Sequence, residues 1–303
     1  MNSLRISIVQ YLNTAPLVRG FTHGPLRGKY QLSFTVPSQC AEALRSGEVD
    51  IAIVPAIEVQ RIDNLVVLPG LCIASKKSVR SLLLVSKKPI PEVRRIALDR
   101  SSRSTQALVR ILCQKHWRVS PDFFEADPDL PAMLQNADAA LIIGDPALRL
   151  ALDSEASAAR NASGDLRIPA EFAGLTLPSP LFVHDIVENW RAFSGLPAVL
   201  AVWAARPNAV TPEVVRDFND SLVFGAQQLH EISAEAAREL NLPALKIMRY
   251  FTENIDYTFD DENLRGLQRY FDLAAEAGLT RQSRPLLIAS FDASPEFAAS
   301  RRH

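Results

Sequence analysis

The chain has little of what builds a disulfide framework or a local metal centre. Its three cysteines, Cys40, Cys72 and Cys113, are odd in number, far apart and free of CxxC spacing. That excludes a disulfide scaffold or a zinc knuckle and leaves buried or half-buried thiols. The five histidines (His23, His116, His184, His230, His303) form no HxH or HExxH pattern, so no metal is expected. Also missing are a G-x-S-x-G elbow, a P-loop and the Rossmann glycine pattern, which a serine hydrolase, kinase or nicotinamide enzyme would normally carry. Charge of one sign is not in excess: 33 Lys and Arg face 34 Asp and Glu, a formal balance of -1, so nucleic acid is not an expected partner. No run approaches about 18 uncharged apolar residues, and the opening MNSLRISIVQYLN lacks both a sustained apolar region and a small-residue cleavage site. The expectation is a soluble, cytoplasmic protein without a membrane partner; the oligomeric state has no signature.

What is present suits two domains: 303 residues, 48% of them hydrophobic. Apolar runs at LRISIV, LSFTV, DIAIVP, LVVLPGLCIA, SLLLVS, RRIALD and AALIIGD alternate with helical patterns at 38–46, 102–115 and 130–136. Several runs are nearly continuous, as in strands covered on both faces by helices, which predicts an α/β fold. In PSQCAEALRSGEVDIAIVP, Ser38 is a candidate cap, Ala41 and Leu44 face inward, Gly47 stops the helix and Ile51 to Val54 form the next strand. After LPAVLAVWAA, where Trp203 is read as a core residue, the chain turns helical. Thr211 and Pro212 open that part, and Leu264, Leu267, Phe271 and Ala274 form the stripe of a last helix ending near Gly278. Residues 151–180 read as a long loop or insertion, and 281–303 as a poorly ordered tail.

Two breaks read as crossings between lobes, VSKKPIPEVRR at 85–95 and FSGLPAVLAV at 193–202. They predict one lobe from residues 1–91 plus 196–280 and a second from 92–195, with a ligand cleft between them.

Candidate chemistry gathers at strand ends. In ALDRSSRSTQALVRIL a strand ends at Leu98 and a helix begins among Ser102, Arg103, Ser104 and Thr105, so free N–H groups and a positive dipole end would face the cleft mouth. Two readings stay open there: an anion site, or N-capping by Ser101 or Ser102. Ser81 precedes one buried strand, and Gly144 and Asp145 follow another, which is where ligands collect in open α/β sheets. Asp145 can equally cap the next helix. Glu58 is read as a first-turn glutamate favoured by the helix dipole, or as an acid or base in the cleft. In VQYLNTAPL, Asn13 or Thr14 can cap the helix that Pro16 enters, or present polar groups to a ligand.

Together YLNTAPL, LRSGEVDIAIVPAIEVQR, LPGLCIASKKSVRSLLLVSK, IALDRSSRSTQALVRILC, DAALIIGDPAL and GLPAVLAVWAAR resemble, in order and spacing, the menaquinone-biosynthesis chorismate dehydratases, the MqnA family, across about residues 4–206. HDIVENW is a loose version of the family's stretch, and the 151–180 segment and long tail depart from it. The resemblance implies a two-lobed fold like the type II periplasmic binding proteins. It also implies conversion of chorismate to 3-[(1-carboxyvinyl)oxy]benzoate and water in the futalosine pathway, by a hydro-lyase without a cofactor. It raises Asn13 from cap to substrate contact at the C4 hydroxyl, with Ser81 beside it as a catalytic candidate. The base is open between a protein side chain and the substrate's own side-chain carboxylate. The alternatives are a solute-binding protein for a small carboxylate and the later cyclisation enzyme of the same pathway.

Overall fold

The computed structural model describes residues 3–154, 159–160, 166–168, 171–172, 175–176 and 181–291. In chain order the elements are β1 (Arg5–Val9), α1 (Ala15–Thr22), β2 (Gln31–Thr35), α2 (Pro37–Ser46), β3 (Ile51–Pro55), β4 (Val66–Ser75), β5 (Leu82–Ser86), β6 (Arg95–Asp99), α3 (Arg103–Ile111), β7 (Asp122–Ala126), α4 (Leu130–Asn136), β8 (Ala139–Ile143) and α5 (Gly144–Ser154). There follow β9 (Ala159–Arg160), β10 (Leu166–Ile168), β11 (Glu171–Phe172), β12 (Leu175–Thr176), β13 (Leu181–Asp185), α6 (Ile186–Ser194), β14 (Ala198–Ala205), α7 (Pro212–Gln227), α8 (Leu229–Leu240), α9 (Ala244–Arg249), β15 (Asp256–Thr258) and α10 (Asp261–Glu276).

Two mixed sheets carry the fold, in the orders β15-β4-β14-β3-β1-β2 and β7-β6-β8-β5-β13-β10-β9. In the first, β1 lies parallel between β2 and β3, and β14 runs antiparallel between β3 and β4. In the second, β6 is parallel to β7 and β8, while β5 is antiparallel to β8 and β13. Strands β3, β5 and β8 are buried at every position, as continuous apolar runs require when helices cover both faces. Trp203 is fully buried and meets Phe218 edge-on, with ring centroids 4.8 Å apart. Helix α7 presses on α1 so closely that a Cβ on Gly225 would lie 1.9 Å from the Pro16 carbonyl oxygen. Ser221 Oγ takes the Gly20 N–H (3.1 Å) and donates to the Leu17 carbonyl (2.7 Å) at the same seam.

Four local expectations need correction. Strand β5 belongs to the second sheet, so the chain leaves the first sheet over residues 76–81 and not over 85–95. It returns over Gly195–Pro197, Gly195 ending α6 with φ +72°. Ser38 does not cap α2: Val36 holds the cap position, with Pro37 at the first turn and no side-chain bond. Residues 151–180 are not simply a loop, since α5 runs to Ser154, β9 and β10 extend the second sheet beyond β13, and β11 pairs antiparallel with β12; residues 155–158, 161–165, 169–170, 173–174 and 177–180 lie outside the described part. The first half of the tail is held, with Val67 and Leu287 sharing a 2.8 Å backbone bond and Ala289 returning one of 2.9 Å to Val67; residues 292–303 are outside the described part. Among the described residues no helix is long and apolar enough to cross a membrane.

Candidate active site

The two sheets meet at a cleft lined from the first by Val9, Tyr11, Asn13 and Ala201, and from the second by Leu82, Ser102–Thr105 and Gly144. It leaves about 50 Å³ of free space.

On the first wall, β1 ends at Val9 and the chain makes one tight turn, Leu12–Thr14, before α1. Thr14 holds the cap position of α1, yet neither its side chain nor that of Asn13 makes a capping bond, so the capping reading fails. Remote groups satisfy the turn instead. The Leu12 N–H donates to Asp145 Oδ1 (2.9 Å), and the Tyr257 hydroxyl donates to the Asn13 carbonyl (2.9 Å). The Asn13 side chain is left with one long bond, 3.4 Å from the Thr14 hydroxyl to its Oδ1, and its amide lines the cleft. Tyr11 lies against Gly144, whose φ is +69° and where a Cβ would sit 2.6 Å from the Tyr11 ring; glycine is needed there on both counts.

On the second wall, β6 delivers Asp99 to the turn before α3. Asp99 Oδ1 accepts from the Ser101 N–H (2.9 Å) and hydroxyl (2.7 Å), which consumes Ser101. Its Oδ2 is buried without a partner, and burial raises the carboxyl's pKa. Ser102 holds the cap position of α3 without a side-chain bond, and the first helical bond runs from Gln106 N–H to the Ser102 carbonyl (3.0 Å). The N–H groups of Arg103, Ser104 and Thr105 precede that bond and have no helical acceptor. Ser104 Oγ accepts the Ile57 N–H at 3.1 Å, so it too is engaged. The hydroxyls of Ser102 and Thr105 line the cleft and, among the described residues, take no hydrogen bond. Arg103 lines the cleft while donating to Glu58 (3.1 Å) and Glu42 (2.6 Å).

Glu58 is a first-turn residue, as its position suggested, but its company was not foreseen. The carboxylate is fully buried and receives Arg45 (2.5 Å), Arg61 (3.0 Å) and Arg103 (3.1 Å), so three guanidiniums repay its desolvation. Asp145 neither lines the cleft nor caps from outside α5. It is a first-turn residue, its pKa raised by burial and lowered by the Leu12 N–H, and it ties α5 to the opposite wall. Ser81 is buried at the first crossing. Its hydroxyl accepts from Tyr250 (2.9 Å) and donates to the Val79 carbonyl (3.4 Å), and its own carbonyl accepts from the Gly144 N–H (2.8 Å). Burial pushes the Tyr250 phenol well above its ordinary range, so it stays a neutral donor. Asp185 holds the same crossing, accepting from the N–H groups of Val79 (3.0 Å) and Arg80 (2.6 Å). Among the described residues no three His, Cys, Asp or Glu side chains are grouped to hold a metal ion.

What the two walls offer is amide and hydroxyl donors around a space between two sheets, in a sequence that matches the menaquinone-biosynthesis family over residues 4–276. The chain belongs to that family. A family relative, the chorismate dehydratase of Thermus thermophilus, is 27% identical over 270 residues, covering 88% of this chain and 93% of its own. The fold of the chain is like that of the periplasmic binding proteins. AF1704 of Archaeoglobus fulgidus superposes with a TM-score of 0.68 at 18% identity, covering 91% of this chain and 98% of its own. The aliphatic sulphonate-binding protein SsuA of Escherichia coli gives 0.58 at 19%, covering 93% and 95%. The CA3427 product of Candida albicans, described as having the generic periplasmic-binding-protein fold, gives 0.57 at 15%, covering 97% and 100%.

Sequence reasoning missed Tyr11 and the three tyrosines behind the walls, Tyr250, Tyr257 and Tyr270. Tyr11 sits inside the quoted YLNT stretch, where an aromatic ahead of a turn was a usable signal. Tyr270 donates to the Ser104 carbonyl (2.9 Å) across 166 residues, and no local pattern announces such a partner.

Proposed function

We propose that this protein is a chorismate dehydratase, a hydro-lyase converting chorismate to 3-[(1-carboxyvinyl)oxy]benzoate and water in the cytoplasm. The observation that carries the reading is the start of α3, where three helical N–H groups without acceptors and the free hydroxyls of Ser102 and Thr105 face the Asn13 amide in a chain of this family. Chorismate is a dianion, and a helix start with unspent donors suits a carboxylate. Gly144 lets the Tyr11 ring pack against the second wall, and Asp145 and Arg103 position the two walls.

The reaction is a redox-neutral elimination. A base takes the ring C3 proton, the electron pair becomes the C3–C4 double bond, and the C4–O bond breaks to give water and an aromatic ring. The C3–H bond is conjugated through the ring diene to the ring carboxylate, so negative charge develops there before hydroxide leaves. Donors at the α3 start stabilise that charge. Asn13, a poor base, holds and orients the C4 hydroxyl, whereas Ser81, buried off the cleft between the Tyr250 hydroxyl and the Val79 carbonyl, supports the crossing. The C3 proton goes to the substrate's own side-chain carboxylate and then to the departing hydroxide, which closes the balance without a cofactor. Ligand pockets ordinarily offer about 300–1,000 Å³, so a cleft with about 50 Å³ free admits a dianion of this size by opening at its two crossings.

Purified protein incubated with chorismate should yield a product lighter by one water, with aromatic absorbance replacing that of the diene. Chorismate recovered unchanged from folded protein that binds it overturns the reading and favours a solute-binding role.

A further inference from the structure

A second cavity of about 560 Å³ lies where the loop after α10 meets the turn after β3. Arg61, Arg281 and Arg284 line it against one lining carboxylate, Asp63. Two of the guanidiniums are anchored by the fold: Arg284 donates to Asp63 (2.6 Å) and the Gln60 carbonyl (2.7 Å), Arg61 to Glu58 (3.0 Å) and the Leu279 carbonyl (3.1 Å). Each fork keeps further N–H donors. Arg281 is exposed and, among the described residues, has no partner. The second observation is Thr280, which lines the same cavity, is 8% exposed, and has a buried hydroxyl with no hydrogen-bond partner. A buried donor left unpaired is costly, and a ligand oxygen would remove that cost.

We propose that this cavity binds a small oxyanion carrying at least two negative charges. Guanidinium forks fit carboxylate and phosphate oxygens equally, and the Thr280 hydroxyl supplies one further donor. Arg61 also bonds Glu58, which holds Arg103 on the cleft wall, so two ion pairs separate this cavity from the cleft. The site does not depend on the reaction assigned to the cleft.

Calorimetric titration of the full chain at low ionic strength, with pyrophosphate and separately with citrate, tests the proposal. At least one probe should bind saturably at one site, and which of them binds separates a phosphoryl from a carboxylate ligand. The Ser102→Ala/Thr105→Val double variant, altered only in the cleft, should bind as wild type does. Arg281→Ala should weaken binding about tenfold or more. Arg281 has no partner to lose, so its variant should melt with wild type. No saturable binding of either probe, equal affinity in Arg281→Ala, or loss of binding in the cleft variant overturns the proposal.

Discussion

The two walls of the cleft invert what their sequences advertise. The start of α3 reads as a dense anion site, four hydroxyls and an arginine between Ser101 and Thr105, yet the fold spends most of it. Ser101 serves Asp99, Ser104 serves Ile57, and Arg103 serves Glu42 and Glu58. The Leu12–Thr14 turn reads as a helix cap, yet it caps nothing. Its backbone is satisfied from Asp145 and Tyr257, which leaves the Asn13 amide for the cleft. Polar density therefore marks where a wall is anchored, and a polar side chain relieved of its local duty marks where a ligand is met.

The severest test of the anchoring half is Glu58→Gln. It leaves three guanidiniums around a neutral amide. Breaking a fully buried pair costs about 3–5 kcal/mol, and these arginines reach solvent, so a loss of about 2–4 kcal/mol is expected in denaturant unfolding. Loss under about 0.5 kcal/mol would show that the cluster does not hold the wall.

Asn13→Asp addresses the other wall. The protein should melt close to wild type, because no cap is lost, while turnover falls about 100-fold or more as a carboxylate replaces an amide donor facing a dianion. Near-wild-type turnover would return the turn to a purely structural role.

The serines of α3 then divide. Ser104→Ala orphans the buried Ile57 N–H and should cost about 1–3 kcal/mol of stability with KM nearly unchanged. The Ser102→Ala/Thr105→Val pair should leave stability nearly unchanged and raise KM for chorismate about tenfold. Equal behaviour of the two variants would erase the distinction between anchored and free hydroxyls.

The smallest effect concerns the crossing between the walls. Burial raises the Asp185 carboxyl to about 6 although it accepts four backbone N–H bonds. Unfolded, an aspartate titrates near 3.9. Between those values the native chain binds the extra proton, so this group's contribution to stability falls as pH rises from about 4 through 6 and stays lost above. Asp185→Asn should flatten that part of the melting temperature profile while lowering it overall. An unchanged slope would assign the dependence elsewhere.

Much of the fold is legible in the residues. The strands at LRISIV, DIAIVP and AALII, the α4 span 130–136, Thr211 capping α7 through the Val214 N–H (3.2 Å), and Gly47 ending α2 at φ +79° all follow from apolar runs and cap chemistry within a few residues. The crossing at 76–81 was misread because its signal, a left-handed Arg80 held by Asp185, lies 105 residues from its partner, while the prolines at 89 and 91 mark only a turn.

By itself the sequence determined the alternation of strand and helix, the absence of local metal or nucleotide motifs, and which strand ends carry polar groups. These depend on periodicity and on bonds reaching four residues or fewer. Only the tertiary structure decided which of those polar groups are spent. A hydroxyl or amide is satisfied by whatever donor or acceptor packing brings within about 3 Å, and for Leu12, Asn13, Ser81 and Ser104 those partners come from 47 to 244 residues away.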